Sequence, residues 1–124
     1  MKELTKAEEQ VMQVLWSIGQ GFASDVMAAF PEPKPAYNTM LTIIRILEKK
    51  GFVQHETFCK ANRYQPAISK EAYSQSFLGS VVERYFNNSY LDLVSAFAKK
   101  ENFSLEELET LKKMIDEAID NEKK

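Results

Sequence analysis

The chain has 124 residues, 44% of them hydrophobic and 27% charged, with a formal net charge of −2. That size and polarity fit one compact domain or two small ones sharing a core. No apolar run reaches the roughly 18 residues of a membrane span, the N-terminus shows no signal-peptide pattern, and the single cysteine, Cys59, excludes an internal disulfide framework; a cytoplasmic chain is expected.

The first helix is announced by "LTKAEEQVMQVLWSIGQ", where Thr5 and Glu8 have capping-box spacing and Val11, Leu15 and Ile18 repeat at helical intervals, widened by Met12 and Trp16. Gly19 and Gly21 end it. "FASDVMAAF" predicts a short second helix with Phe22, Val26, Ala29 and Phe30 on one buried face. "PEPKP" then forbids helix and gives a stiff connector. A third helix is expected over Pro35–Lys50, with Pro35 as its first residue and Gly51 as its C-terminal stop. "FVQHET" and "NRYQP" read as two strands of a hairpin turning through "FCKA".

The second half is helical throughout. Ser69 is placed to cap "KEAYSQSFLGSVVERYF", in which Tyr73, Phe77, Val81 and Tyr85 recur every four residues. "YLDLVSAFAKK" is a short helix carrying Leu91, Val94 and Phe97. A second capping box, Ser104 and Glu107, opens a last helix with Leu105, Leu108, Leu111, Ile115 and Ile119 along one side. These apolar residues exceed what so short a segment can hide alone, so a homodimer formed through this half is expected, with Phe77, Val81, Tyr85, Leu91, Val94, Phe97, Leu108, Leu111 and Ile115 at its interface. The alternative is that the helices fold back on the N-terminal half.

The fold class is therefore mainly α with a small β-hairpin: a winged helix-turn-helix domain over residues 1–67, followed by a helical dimerisation domain over residues 68–124. Charge is split between the halves. From Lys34 to Arg63 the balance is +4, whereas from Ala67 onward it is −3, a local basic surface suited to double-stranded DNA. On the third helix Met40, Ile43, Ile44 and Leu47 form one stripe, and Asn38, Thr42, Arg45 and Lys49 lie opposite. Asn, Thr and Arg can reach base edges in a major groove, and Lys can meet phosphate. Arg45 either contacts a guanine or pairs with a nearby acid. Tyr37 either meets the DNA backbone or packs. Lys49, Lys60 and Arg63 are candidates for phosphate contact, with a solvated surface charge as the competing reading. His55 is expected to decorate a strand, a single histidine making no metal site, and Trp16 to sit in the core. Nothing in the residue inventory suits an enzyme, a metal or a cofactor; a winged-helix protein-interaction module without sequence-specific DNA binding is the alternative function.

"LTKAEEQVMQVLW", "YNTMLTIIRILEKKGFV" with its Thr39-x-x-Thr42 spacing, "KANRYQP" and "LVSAFAKKENFSLEELETL" follow one another in an order that resembles the BlaI/MecI/CopY group of penicillinase-type repressors over nearly the whole chain. The resemblance implies a homodimeric repressor on a dyad-symmetric operator and adds Thr39 to the reading helix. It also implies, for several members, a membrane metalloprotease sensor whose signal leads to cleavage in the tail. The equivalent bond here is Ala96–Phe97, with Ala96 in place of the family's Asn. Two further departures stand out: Leu41 and Ile46 occupy positions that often carry basic residues, and the paired Cys-x-Cys motifs of the copper-responsive branch are missing.

Overall fold

The computed structural model describes residues 3–98 and 102–124. Lys99, Lys100 and Glu101, part of the quoted tail motif, lie outside the described residues. The chain forms two compact units, Met1–Leu78 and Gly79–Lys124. The first contains α1 (Lys6–Ile18), β1 (Gly21–Phe22), α2 (Ala23–Ala29), α3 (Tyr37–Lys49), β2 (Val53–Phe58), β3 (Ala61–Pro66) and the start of α4 (Lys70–Tyr85); α5 (Tyr90–Ala98) and α6 (Leu105–Glu122) belong to the second. The architecture is the winged helix-turn-helix followed by helices that the sequence predicts. No helix among the described residues is long and apolar enough to cross a membrane.

Local chemistry explains the boundaries. At the head of α1 the Thr5 hydroxyl accepts the Glu8 amide at 3.2 Å, while the Glu8 carboxylate accepts the Thr5 amide at 2.9 Å, so two orphan donors are satisfied reciprocally. α3 begins at Tyr37, with Ala36 in the capping position and no side-chain cap. Pro35 thus lies just outside the helix rather than at its first residue, because Ala36 is itself extended (ψ 144°). The helix closes in a Schellman motif: the Gly51 amide donates to Glu48 at 3.1 Å and the Phe52 amide to Leu47 at 2.9 Å. Gly51 takes φ +90°, which an L side chain resists. Phe52 and Leu47, the apolar pair that accompanies this motif, are both buried.

The sheet has three strands in the order β1-β3-β2, all antiparallel. The hairpin strands run further than the sequence suggests. Phe58 pairs with Ala61, leaving only Cys59 and Lys60 in the turn, and both adopt positive φ (47° and 69°), as a two-residue hairpin turn requires. β1 was not anticipated: Gly21 pairs with Tyr64 and Phe22 with Arg63. Gly21 fits because a Cβ there would come within 2.9 Å of the Asp25 Cβ. The Asp25 carboxylate in turn accepts the Phe22 amide at 2.9 Å, opening α2.

The core of the first unit joins Val11, Met12 and Leu15 of α1 to Val26 of α2, Met40, Ile44 and Leu47 of α3, and Phe52, Val53 and Tyr64 around the sheet. Each such side chain contributes about 1.5–3 kcal/mol by leaving water. Ala29, predicted on the buried face of α2, is exposed instead; Val26 and Phe30 do the packing. Trp16 is half-buried and reaches out of the core, donating its indole N–H to the Ile68 carbonyl at 2.9 Å. Tyr73 packs beside it and accepts the Leu4 amide through its hydroxyl at 3.0 Å.

In the second unit Ser89 accepts the Asp92 amide at the head of α5, and Ser104 with Glu107 forms the predicted capping box of α6. The Ser104 amide and hydroxyl hold the Glu107 carboxyl below its ordinary value. Among the described residues of this unit, Val82 is the one hydrophobic side chain that is buried. Leu91 and Leu105 are three-quarters exposed, and Tyr85, Phe97, Leu108, Met114, Ile115 and Ile119 lie open as well.

Candidate nucleic-acid interface

α3 is anchored on one side and bare on the other. Met40, Ile44 and Leu47 are wholly buried, and Ile43 packs against their cluster. The opposite face presents Asn38, Thr39, Thr42, Arg45 and Lys49, all exposed, and Tyr37 stands exposed at the first turn. Among the described residues no hydrogen bond or ion pair holds the side chain of Arg45 or of Lys49. The Thr42 hydroxyl donates to the Asn38 carbonyl at 2.9 Å, so its proton is spent on the helix itself.

The six cations between Lys34 and Arg63 divide into two groups. Lys34 donates to the Met27 and Ala28 carbonyls at 3.2 and 3.3 Å, satisfying the C-terminal end of α2 and its negative dipole. Lys50 donates to the Glu8 carboxylate at 2.7 Å. Glu8 is buried, and burial by itself would raise its carboxyl; the Lys50 hydrogen bond, the Thr5 amide and the Lys50 charge outweigh that and hold it below its ordinary value. This pair ties the head of α1 to the foot of α3. Arg63, half-buried on β3, lies over the Phe58 ring at 4.6 Å and faces Glu56 across the hairpin at 3.6 Å. Its charge is steadied there and partly balanced. Arg45, Lys49 and the exposed Lys60 at the hairpin tip keep their charges for the solvent side.

The hairpin is held to α3 by more than the backbone. His55 Nδ1 contacts the Glu48 carboxylate, and the imidazole packs edge-on to Tyr64. This contact arises because the Gly51 turn folds β2, the strand that carries His55, back past the end of α3. Phe58, which sequence reasoning passed over, covers the hairpin tip between Phe22 and Arg63. The two apolar residues that flank the polar stripe part company: Ile46 is 42% exposed on α3, while Leu41 is half-buried against the core. No group of three or more His, Cys, Asp or Glu side chains able to hold a metal occurs among the described residues.

Comparison with known proteins agrees with this geometry. A family model described as penicillinase repressor matches residues 4–117. The methicillin resistance regulatory protein MecI of Staphylococcus aureus (strain N315) is 24% identical over 114 residues, spanning 91% of this chain and 93% of that protein. The MecI protein of Mammaliicoccus sciuri is 23% identical over the same length, with the same coverage of both chains. The penicillinase repressor of Bacillus licheniformis is 24% identical over 116 residues, spanning 93% of this chain and 91% of its own.

Proposed function

We propose, because this chain belongs to the penicillinase repressor family and is therefore a transcriptional repressor, that it binds a dyad-symmetric operator as a homodimer. In this reading the outer face of α3 enters the major groove and the β2–β3 hairpin lies along the flanking phosphates. The observation that carries it is the pair Arg45 and Lys49: two exposed cations on one helix face with no acidic partner among the described residues. Unneutralised cations beside short hydrogen-bonding side chains suit a polyanion whose base edges carry acceptors. Arg45 would read a guanine, with Asn38 and Thr42 alongside. Tyr37 and Thr39 would meet the backbone at the start of the helix, and Lys49, Lys60 and Arg63 would neutralise phosphates.

Dimerisation through the second unit is supported by its exposed apolar side chains. A unit of this length with one buried hydrophobic residue lacks a core of its own. A twofold dimer would set its half-sites roughly one DNA turn, about 34–36 Å, apart or at a multiple of that spacing. Relief by cutting at Ala96–Phe97 is the finer part of the proposal. That bond lies inside α5, so a protease would have to unwind the helix before cutting, and a chain that stays intact by mass spectrometry under derepressing conditions excludes this route.

The test is fluorescence anisotropy with the duplex upstream of the chain's own gene, at two salt concentrations. Arg45→Ala is expected to weaken specific binding by about 1–3 kcal/mol. Lys60→Ala is expected to weaken all sequences alike and to lower the salt slope by about 1. Absence of salt-sensitive binding to any duplex would overturn the reading in favour of a winged-helix protein-interaction module.

A further inference from the structure

We infer that Ile46 is a specificity-determining residue that reads the C5-methyl group of a thymine in each half-site, so that this repressor selects its operator partly through an apolar contact. The inference rests on the proposed placement of α3 in the major groove and names what that face recognises there.

Ile46 is large, apolar and 42% exposed, on a helix whose buried stripe is already complete without it. Local structure gives no reason for the residue. A β-branched side chain is a poorer helix former than Lys, Glu, Gln or Ala, and here partial burial returns little of that cost. Its neighbours at helical spacing are Thr42 and Thr39, four and seven residues earlier and both exposed. The Thr42 hydroxyl proton is bound to the Asn38 carbonyl, which leaves Thr42 less to donate to a base. Ile46 and Thr42 therefore form a flank that is weak in donors, next to the cationic Arg45 and Lys49.

The occupant must satisfy both parts at once: negative charge for the cations and an apolar knob for the isoleucine. In the major groove only thymine presents a methyl group, beside its O4 acceptor. Leu41 does not share the role, since it is half-buried against the core. Ile46 is thus the position at which the apolar substitution faces outward.

The test begins by selecting binding sites from a random duplex pool with the intact chain, then replacing each half-site thymine by deoxyuridine, which removes only the methyl. One position is expected to lose affinity about fourfold per half-site, the equivalent of one methyl-sized apolar contact of about 0.8 kcal/mol. Ile46→Ala is expected to weaken the all-thymine site by a similar factor and to abolish the sensitivity to deoxyuridine at that position. Enrichment of a site that tolerates deoxyuridine everywhere overturns the inference and leaves DNA binding intact. Sensitivity that persists in Ile46→Ala overturns the assignment to this residue. If Ile46→Ala instead lowers self-association in sedimentation without DNA and leaves site selection unchanged, the face is a protein contact and the inference fails. No enrichment at all sinks the DNA-binding reading, and this inference with it.

Discussion

Glu8 does with one carboxylate what usually takes two groups: Oε1 accepts the Thr5 amide and Oε2 the Lys50 ammonium. Because its carboxyl is held below the ordinary value of 4.5 in the folded chain, its contribution to stability is complete above the unfolded value and is lost as pH falls through the folded one. Stability is therefore expected to decline once pH drops toward about 4.5, with part of that decline absent in Glu8→Gln. The same substitution should cost about 1.5–3 kcal/mol at neutral pH, the worth of a hydrogen bond to a charged group, measured by urea unfolding over an acid series. An acid limb identical in the two proteins would contradict it. At this scale the sequence was readable where partners are close. The partners of the Thr5–Glu8 and Ser104–Glu107 boxes are three positions apart, and both boxes form. Lys50 and Glu8 are 42 residues apart, and only the packing of α3 on α1 brings them together, so Lys50 stood in the count of available cations.

Among the elements, β1 and the hairpin turn were the least legible. A two-residue strand has no periodicity to read, and it exists because β3 offers an open edge beside it. Gly21 looked like a helix terminator, but its constraint is proximity: a methyl there would press against Asp25 and Ile18. Gly21→Ala is expected to destabilise the first unit by about 1–3 kcal/mol, the cost of forcing atoms into a packed site, seen as a lower urea midpoint at unchanged m-value. A midpoint within error of the parent would show that the β1–α2 corner yields freely. At the hairpin tip the error was of another kind. "FCKA" lacks the Asn-Gly signature of a two-residue turn, yet Cys59 and Lys60 both adopt left-handed backbone. Asn tolerates that conformation better than Cys, so Cys59→Asn is expected to raise stability by about 0.5–1 kcal/mol without altering charge, checked by the same unfolding curves. A loss of stability would mean that the thiol packs at the tip. The helices themselves were legible because amphipathic spacing and caps are local. The polar face of α3 was legible as a stripe, whereas the division of labour among the cations from Lys34 to Arg63 was not, since it depends on Met27, Glu8 and Glu56.

For the whole molecule, the contrast between the two units governs behaviour. The first owns a continuous core, and the second keeps most of its large apolar side chains at the surface. If those side chains form the dimer, placing charge among them removes both the dimer and tight operator binding while sparing the winged-helix unit. Leu108→Asp combined with Ile115→Asp, two exposed positions of α6, is expected to give monomers by analytical ultracentrifugation and to weaken operator binding by at least an order of magnitude, since one half-site is then read alone. A variant that remains dimeric would move the interface off this face of α6.

Trp16 has a further consequence. It is the one tryptophan in the chain, and its indole is bonded to Ile68 and lies tilted beside Tyr73, where the strand-bearing domain hands over to α4. The protein thus carries its own optical gauge of that junction, needing no label. Emission should shift to the red when the 68–73 segment lifts from α1, whereas the far-ultraviolet signal follows the helices. Recorded together during an inducer or denaturant titration, the two signals separate a loosening of the junction from collapse of the fold.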